Sequence, residues 1–312
     1  MNRCSMGAQA LFLAFVAAGP QLASAQDWTQ YYTVVHRSEF EIDWGKFYQT
    51  AEAKTMAVRK ELRHELDVPY GKDAKQRMDL YFATQQAGNA PVLLFLHGGG
   101  FREGDRKQYG YVAEPFAKHG IITVVASYRL TPASHYPDQP DDAKALVTWI
   151  YKNIAKYGGN PNSIYVSGHS AGAILTADIG VDLAWMDTAQ VPRPALRGII
   201  PISGSYDLRN AKRKEYLPTP EAEERASALL HVNAPAPVAL VVYGSKEERL
   251  KEPSAALVKA IEAKGSNART LNLEGKDHAG AVWELSDANS TLTQAMLTMI
   301  NASGSSKAST AR

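Results

Sequence analysis

Cysteine is nearly missing from this 312-residue chain, whose single copy is Cys4. A chain with one cysteine forms no internal disulfide and offers no paired thiolates for zinc. Charge of one sign is missing as well, since 34 Lys and Arg against 32 Asp and Glu leave a net +2. That balance provides no general basic field for nucleic acid and no acidic tail. Long apolar runs are also absent. The best candidate, residues 8–18, is shorter than the roughly 20 residues needed to cross a bilayer, so no membrane span is expected. What is present, 45% hydrophobic and 21% charged residues, can bury a substantial core, which excludes a disordered or fibrous chain.

Residues 1–25 differ from the rest. Arg3 precedes the apolar stretch, Gly19-Pro20 break it, and Ala23-Ser24-Ala25 places small residues where a signal peptidase cuts. The expectation is a cleaved secretory signal, a secreted or periplasmic protein, and one folded domain over 26–302. Cys4 would leave with the signal. Residues 303–312, built of Ser, Ala, Gly and Thr with Lys307 and Arg312, are too polar to pack and are expected as a disordered tail.

From about residue 90, short apolar runs alternate with longer amphipathic stretches, as when parallel strands are joined by crossover helices. Residues 92–96, 121–127, 164–166, 198–202, 238–243 and 270–273 read as strands buried on both faces. Helices are expected over 141–157, 170–179, 255–264 and 286–300. Residues 78–82 alternate like an antiparallel edge strand. Residues 46–66 form a charged amphipathic helix, and 204–237, mixing prolines with Lys212 and Lys214, read as an insertion; both are candidate lid elements. The fold class is α/β, a doubly wound, mostly parallel sheet with helices on both faces. There are no internal repeats.

Gly168-His169-Ser170-Ala171-Gly172 falls between a strand and a helix, the context in which Gly-x-Ser-x-Gly marks a nucleophile elbow. The sharp turn strains the serine backbone and brings strand and helix so close that the positions two before and two after must lack a Cβ. The alternative is an ordinary tight turn. His97-Gly98-Gly99-Gly100 closes the strand 92–96, at the carboxyl end where open α/β sheets bind ligands. Gly98 and Gly99 can turn their N–H groups inward and, with the N–H of Ala171, hold an oxygen that becomes anionic when Ser170 attacks a carbonyl. A phosphate loop is the alternative, but no Gly-Lys-Ser/Thr ending follows, and Glu103 would repel phosphate.

On these motifs, with Tyr128-Arg129-Leu130 after a strand, Asp142 opening a helix and a late histidine, the chain resembles the α/β-hydrolase serine esterases over most of 66–300. Within them it is similar to the hormone-sensitive-lipase-like carboxylesterases and the neighbouring feruloyl-esterase and arylformamidase groups. The resemblance implies the order nucleophile, acid, histidine. It places the base at His278, in the loop before the last helix, rather than at any of the other seven histidines. It expects the acid three residues after the glycine ending the penultimate core strand, which here is Glu247 where Asp is usual. Glu248 beside it and Asp207 remain alternatives, and a solvated turn is the plain reading of this acidic pair.

The implied activity is hydrolysis of short-chain or aryl carboxylic esters through an acyl group on Ser170, with no cofactor and no metal. The partner is a small-molecule ester, and no feature of the sequence points to an oligomeric state. An arylformamidase-type amide hydrolase, or an inactive binding protein on the same fold, are the rival readings. Phe101, Trp185, Met186 and Tyr206 are candidate pocket walls, with core packing as the plainer alternative.

Overall fold

The computed structural model describes residues 1, 32–34, 40–85, 88–211 and 214–305. The expected signal beyond residue 1, Cys4, Lys212 and the end of the chain from 306 lie outside them. Strands β1 (Tyr32–Val34) and β2 (Phe40–Ile42) form an antiparallel pair. There follow α1 (Trp44–Glu61), β3 (His64–Pro69), β4 (Arg77–Tyr81), β5 (Ala90–Leu96), α2 (Ala113–Ala117), β6 (Ile122–Ala126), α3 (Asp138–Asn153) and β7 (Gly159–His169). The second half comprises α4 (Ala171–Val181), α5 (Ala184–Ala189), β8 (Leu196–Ile202), α6 (Pro220–Arg225), β9 (Val238–Gly244), α7 (Glu248–Glu262), β10 (Ala268–Leu273), α8 (His278–Trp283) and α9 (Thr291–Ser305).

Eight strands form one sheet in the order β10-β9-β8-β7-β5-β6-β4-β3, parallel from β10 to β6 and antiparallel at β4 and β3. The expected α/β class and doubly wound topology are therefore present. Alternation along β5 explains the layers: Val92, Leu94 and Leu96 join one core, and Leu93 and Phe95 the other. A strand covered on both faces must be apolar throughout, which is why it reads as an unbroken run.

Four expectations are corrected. The helix expected over 46–66 ends at Glu61, and His64–Pro69 instead pairs antiparallel with β4 as the true edge strand. Residues 78–82 are accordingly antiparallel but internal, between β3 and β6. Strand β10 is the opposite edge, with Arg269, Thr270 and Asn272 exposed, rather than buried on both faces. Finally, α9 continues through residues 303–305, where the tail was expected to begin.

Helix α1 starts where the Asp43 carboxylate accepts the Lys46 N–H at 3.0 Å, satisfying one of the unpaired donors of the first turn. Phe47, Ala51, Thr55 and Val58 recur at helical spacing and are buried, so one stripe of the helix packs into the core on its side of the sheet. Burying Phe47 contributes about 2 kcal/mol to that docking, and Phe47→Asp would undo it. Among the described residues no helix is long and apolar enough to cross a membrane.

Candidate active site

The turn from β7 into α4 is as tight as the motif requires. Ser170 has φ 55° and ψ −111°, a left-handed value that a side-chain-bearing residue adopts only where the surroundings enforce it. An added Cβ at Gly168 would lie 2.4 Å from the Gly172 carbonyl oxygen, and one at Gly172 would lie 2.1 Å from that of Leu96. The glycines therefore let β5, the elbow and α4 touch backbone to backbone. Helix α4 is almost wholly apolar and buried, which anchors the elbow from below.

Across the sheet end, the turn after β10 presents His278 as the first residue of α8. Its Nε2 lies 2.9 Å from Ser170 Oγ and its Nδ1 2.5 Å from Glu247 Oε1. With Nδ1–H donating to the carboxylate, Nε2 carries the lone pair that accepts the serine proton. Glu247, in the turn after β9, is only 6% exposed. Its second oxygen accepts Ser203 Oγ–H at 2.6 Å and the Gly244 N–H at 2.8 Å. Burial pushes this carboxyl up, but the bonds from His278, Ser203 and Gly244 outweigh it and hold the group below its ordinary range.

Of the three acids weighed, only Glu247 reaches the imidazole. Glu248 is corrected to a surface residue: it opens α7 with its side chain 80% exposed, opposite Lys251. Asp207 pairs with Arg209. The competing histidines are likewise accounted for, since His64, His119 and His231 each bond a carbonyl close in sequence, His135 is exposed, and His36 lies outside the described residues.

The glycine loop after β5 is held from its first residue. His97 Nδ1–H donates to the Gly98 carbonyl at 2.7 Å, and because a trans peptide opposes its C=O and N–H, the Gly99 N–H points away from His97. Gly98 adjoins the serine directly, for a Cβ there would sit 3.3 Å from Ser170 Cβ. Tyr128 explains its place in the motif: its hydroxyl donates to the His97 carbonyl at 2.8 Å and its ring stacks on the imidazole at 4.3 Å. Arg129 in turn is clamped by Asp142. Gly98 thus lies beside Ser170, with Gly99 following it in the glycine loop and Ala171 following the serine into α4.

The candidate walls separate. Phe101 is buried and stacks on Tyr216 at 3.6 Å, joining the glycine loop to the segment 204–237. Tyr206 is buried against the elbow; a Cβ at Gly204 would meet its ring at 2.8 Å and Ala173 at 2.9 Å. Trp185 and Met186 are corrected to packing residues at the far end of α4. The Trp185 indole donates to the Ile179 carbonyl, nine residues or about 13 Å along the helix from Ser170, and Met186 is fully buried in the core.

Three further residues support the site, of which Ser203 and Trp44 were not anticipated from the sequence. Ser203 holds Glu247. His169 Nε2–H donates to the His278 carbonyl at 2.8 Å, tying the elbow to the histidine turn. Trp44, on the first turn of α1, sets its ring edge-on to His278 at 6.0 Å. Ser203 and His169 stand at strand carboxyl ends or in the motif itself, which was the available signal; Trp44 had none.

Fold and geometry define a serine hydrolase of the α/β-hydrolase type, a class that acts on carboxylic ester bonds. The chain belongs to the BD-FAE family, whose sequence profile matches residues 78–260. It is 24% identical to the kynurenine formamidase of Danio rerio, over 76% of this chain and 82% of that protein. It is 30% identical to the esterase LipQ of Mycobacterium tuberculosis over 58% of this chain, but spans only 48% of that relative. In structure it resembles the hyperthermophilic esterase of the archaeon Pyrobaculum calidifontis, with a TM-score of 0.68, 19% identity, and coverage of 85% of this chain and 92% of the other. The resemblance read from the motifs is thus borne out.

Proposed function

We infer that the protein is a carboxylesterase that cleaves short-chain or aryl esters through an acyl-enzyme on Ser170. The observation that carries this reading is the continuous hydrogen-bonded chain from Ser170 Oγ through His278 to Glu247. Ser170 Oγ attacks the ester carbonyl while its proton passes to His278 Nε2. The oxyanion that forms meets the N–H groups of Gly98, Gly99 and Ala171, each worth about 3 kcal/mol of barrier in such sites. The carbon–oxygen bond to the alcohol breaks and His278 returns its proton to that leaving oxygen. Water, deprotonated by the same nitrogen, then attacks the acyl carbon, and as its bond to Ser170 Oγ breaks His278 returns the proton to that oxygen and the acid leaves. Glu247 stays ionised throughout and keeps the imidazole in the required tautomer.

The test is a p-nitrophenyl ester series from acetate to palmitate, with Ser170→Ala as control and a fluorophosphonate to label the serine. Turnover of the short esters that vanishes in the variant is the expected result. Activity on long chains alone would make the protein a lipase, and failure to label Ser170 would favour a binding protein on this fold. A second reading, hydrolysis of aryl formamides, draws on the likeness to kynurenine formamidase over 82% of that enzyme; paired aryl formamide and aryl acetate assays separate the two. Export is part of the proposal and rests on Arg3, residues 8–18 and Ala23-Ser24-Ala25; an intact residue 1 on the mature protein, read by mass spectrometry, would contradict it.

A further inference from the structure

Beside the reacting groups stands a wall that the chemistry above does not use. The Trp44 ring meets His278 at 6.0 Å, and Tyr48, one helical turn on, lies 5.9 Å from Trp44. Tyr48 in turn adjoins Glu103: burial first, and the charge of Glu103 next, push its phenol well above the ordinary range. Glu103 folds back on the glycine loop, for a Cβ at Gly99 would lie 3.1 Å from Glu103 Cγ. The contacts therefore run from His278 through Trp44, Tyr48 and Glu103 to Gly99, and Gly98 closes the circuit at Ser170.

Glu103 itself is exposed and, among the described residues, makes no ion pair. The cations that line the depression it borders are engaged elsewhere: Lys75 with Asp105, Arg102 with Glu215, and Arg129 with Asp138 and Asp142. A carboxylate without an ion-pair partner that adjoins one aromatic ring, itself packed on a second, is the chemistry that recognises an ammonium group, by charge and by the ring quadrupole. Resting on the esterase reading, we propose that Trp44, Tyr48 and Glu103 form a selectivity wall that favours aryl esters bearing a cationic substituent and disfavours anionic ones.

The test compares kcat/KM for meta-trimethylammoniophenyl acetate, its neutral meta-tert-butyl isostere and meta-carboxyphenyl acetate in the wild type, Glu103→Gln and Glu103→Lys. The quantity read is the cation-to-anion ratio relative to wild type, which cancels differences in leaving-group reactivity. That ratio should fall about fivefold in Glu103→Gln and further in Glu103→Lys, consistent with one charge acting near water, and the wild-type preference should shrink as salt rises. A ratio unchanged in both variants overturns the wall while leaving the esterase reading intact. No turnover of any acetate, or turnover that persists in Ser170→Ala, overturns the esterase reading instead.

Discussion

The loops at the carboxyl ends of the strands and the first turn of α1 face the same serine but are held by different forces. The loops after β5 and β7 are fixed by backbone meeting backbone, with Gly172 against Leu96 and Gly98 against the elbow. The α1 turn arrives from before the sheet in sequence and packs through its side chains, Phe47 in the core and Trp44 against His278. A backbone contact leaves no room for a larger side chain, whereas a packed ring can be exchanged at modest cost. The loops should therefore govern rate and folding, and the α1 turn selectivity.

The largest effect expected is from Ser170→Ala, which should lower kcat by roughly 10^5 with an unchanged circular dichroism spectrum. Glu247→Gln should lower kcat by about 10^3 to 10^4, since the amide can favour the wrong imidazole tautomer. Glu248→Gln, one residue away on the surface, should stay within about twofold. Steady-state kinetics on p-nitrophenyl acetate decides both, and equal losses in the two Glu variants would break the assignment of the acid.

Next comes Gly172→Ala. The added carbon would sit 2.1 Å from the Leu96 oxygen and 2.7 Å from that of His97, neither of which can move without disturbing β5. A loss on the order of 3 kcal/mol is expected by urea unfolding; a variant as stable as the wild type would show that the loops are more pliable than their contacts imply.

Acid should find the loops before it finds α1. Burial lowers the His97 imidazole from 6.5 to about 4, and burial followed by the His278 charge lowers His169 to about 3. Both are neutral in the folded state, while the unfolded chain takes up protons below about 6.5. The unfolded state then binds more protons, so their stability contribution is whole above pH 6.5 and declines as pH falls toward 4. The slope should reach about 1.4 kcal/mol per pH unit for each histidine. His97→Gln and His169→Gln should each remove one proton from that slope in urea titrations.

The same division explains what the sequence made legible. Ser170, the glycines and the buried strands are readable because their constraints are local: an elbow needs its glycines two residues either side, and a strand covered twice must be apolar throughout. The site that joins Ser170 to His278, 108 residues later, was readable only because both ends lie at strand carboxyl ends, where the topology gathers them. Glu247 and Glu248 could not be separated by pattern, since facing the core or solvent is settled by which residue remains in the turn and which begins α7. Trp185 and Met186 misled because an apolar residue after a motif helix looks alike at either end of it. Trp44 carried no signal because its meeting with His278 is purely tertiary.

That last contact gives the smallest and most discriminating expectation. Trp44→Ala removes a half-buried ring from the surface of α1 while leaving Asp43 to cap the helix and Phe47 to dock it. An edge-on aromatic contact is worth about 1 kcal/mol beyond its buried area, so kcat/KM on phenyl acetate should drop by about fivefold, carried mainly by KM if the ring serves the substrate and mainly by kcat if it serves to steady His278. Trp44→Phe should recover most of the loss in either case. Thermal unfolding should shift by only a few degrees. If Trp44→Ala instead lost as much activity as Glu247→Gln, α1 would belong with the loops as part of the reacting apparatus, and the contrast between rate-setting backbone and selectivity-setting side chains would fail.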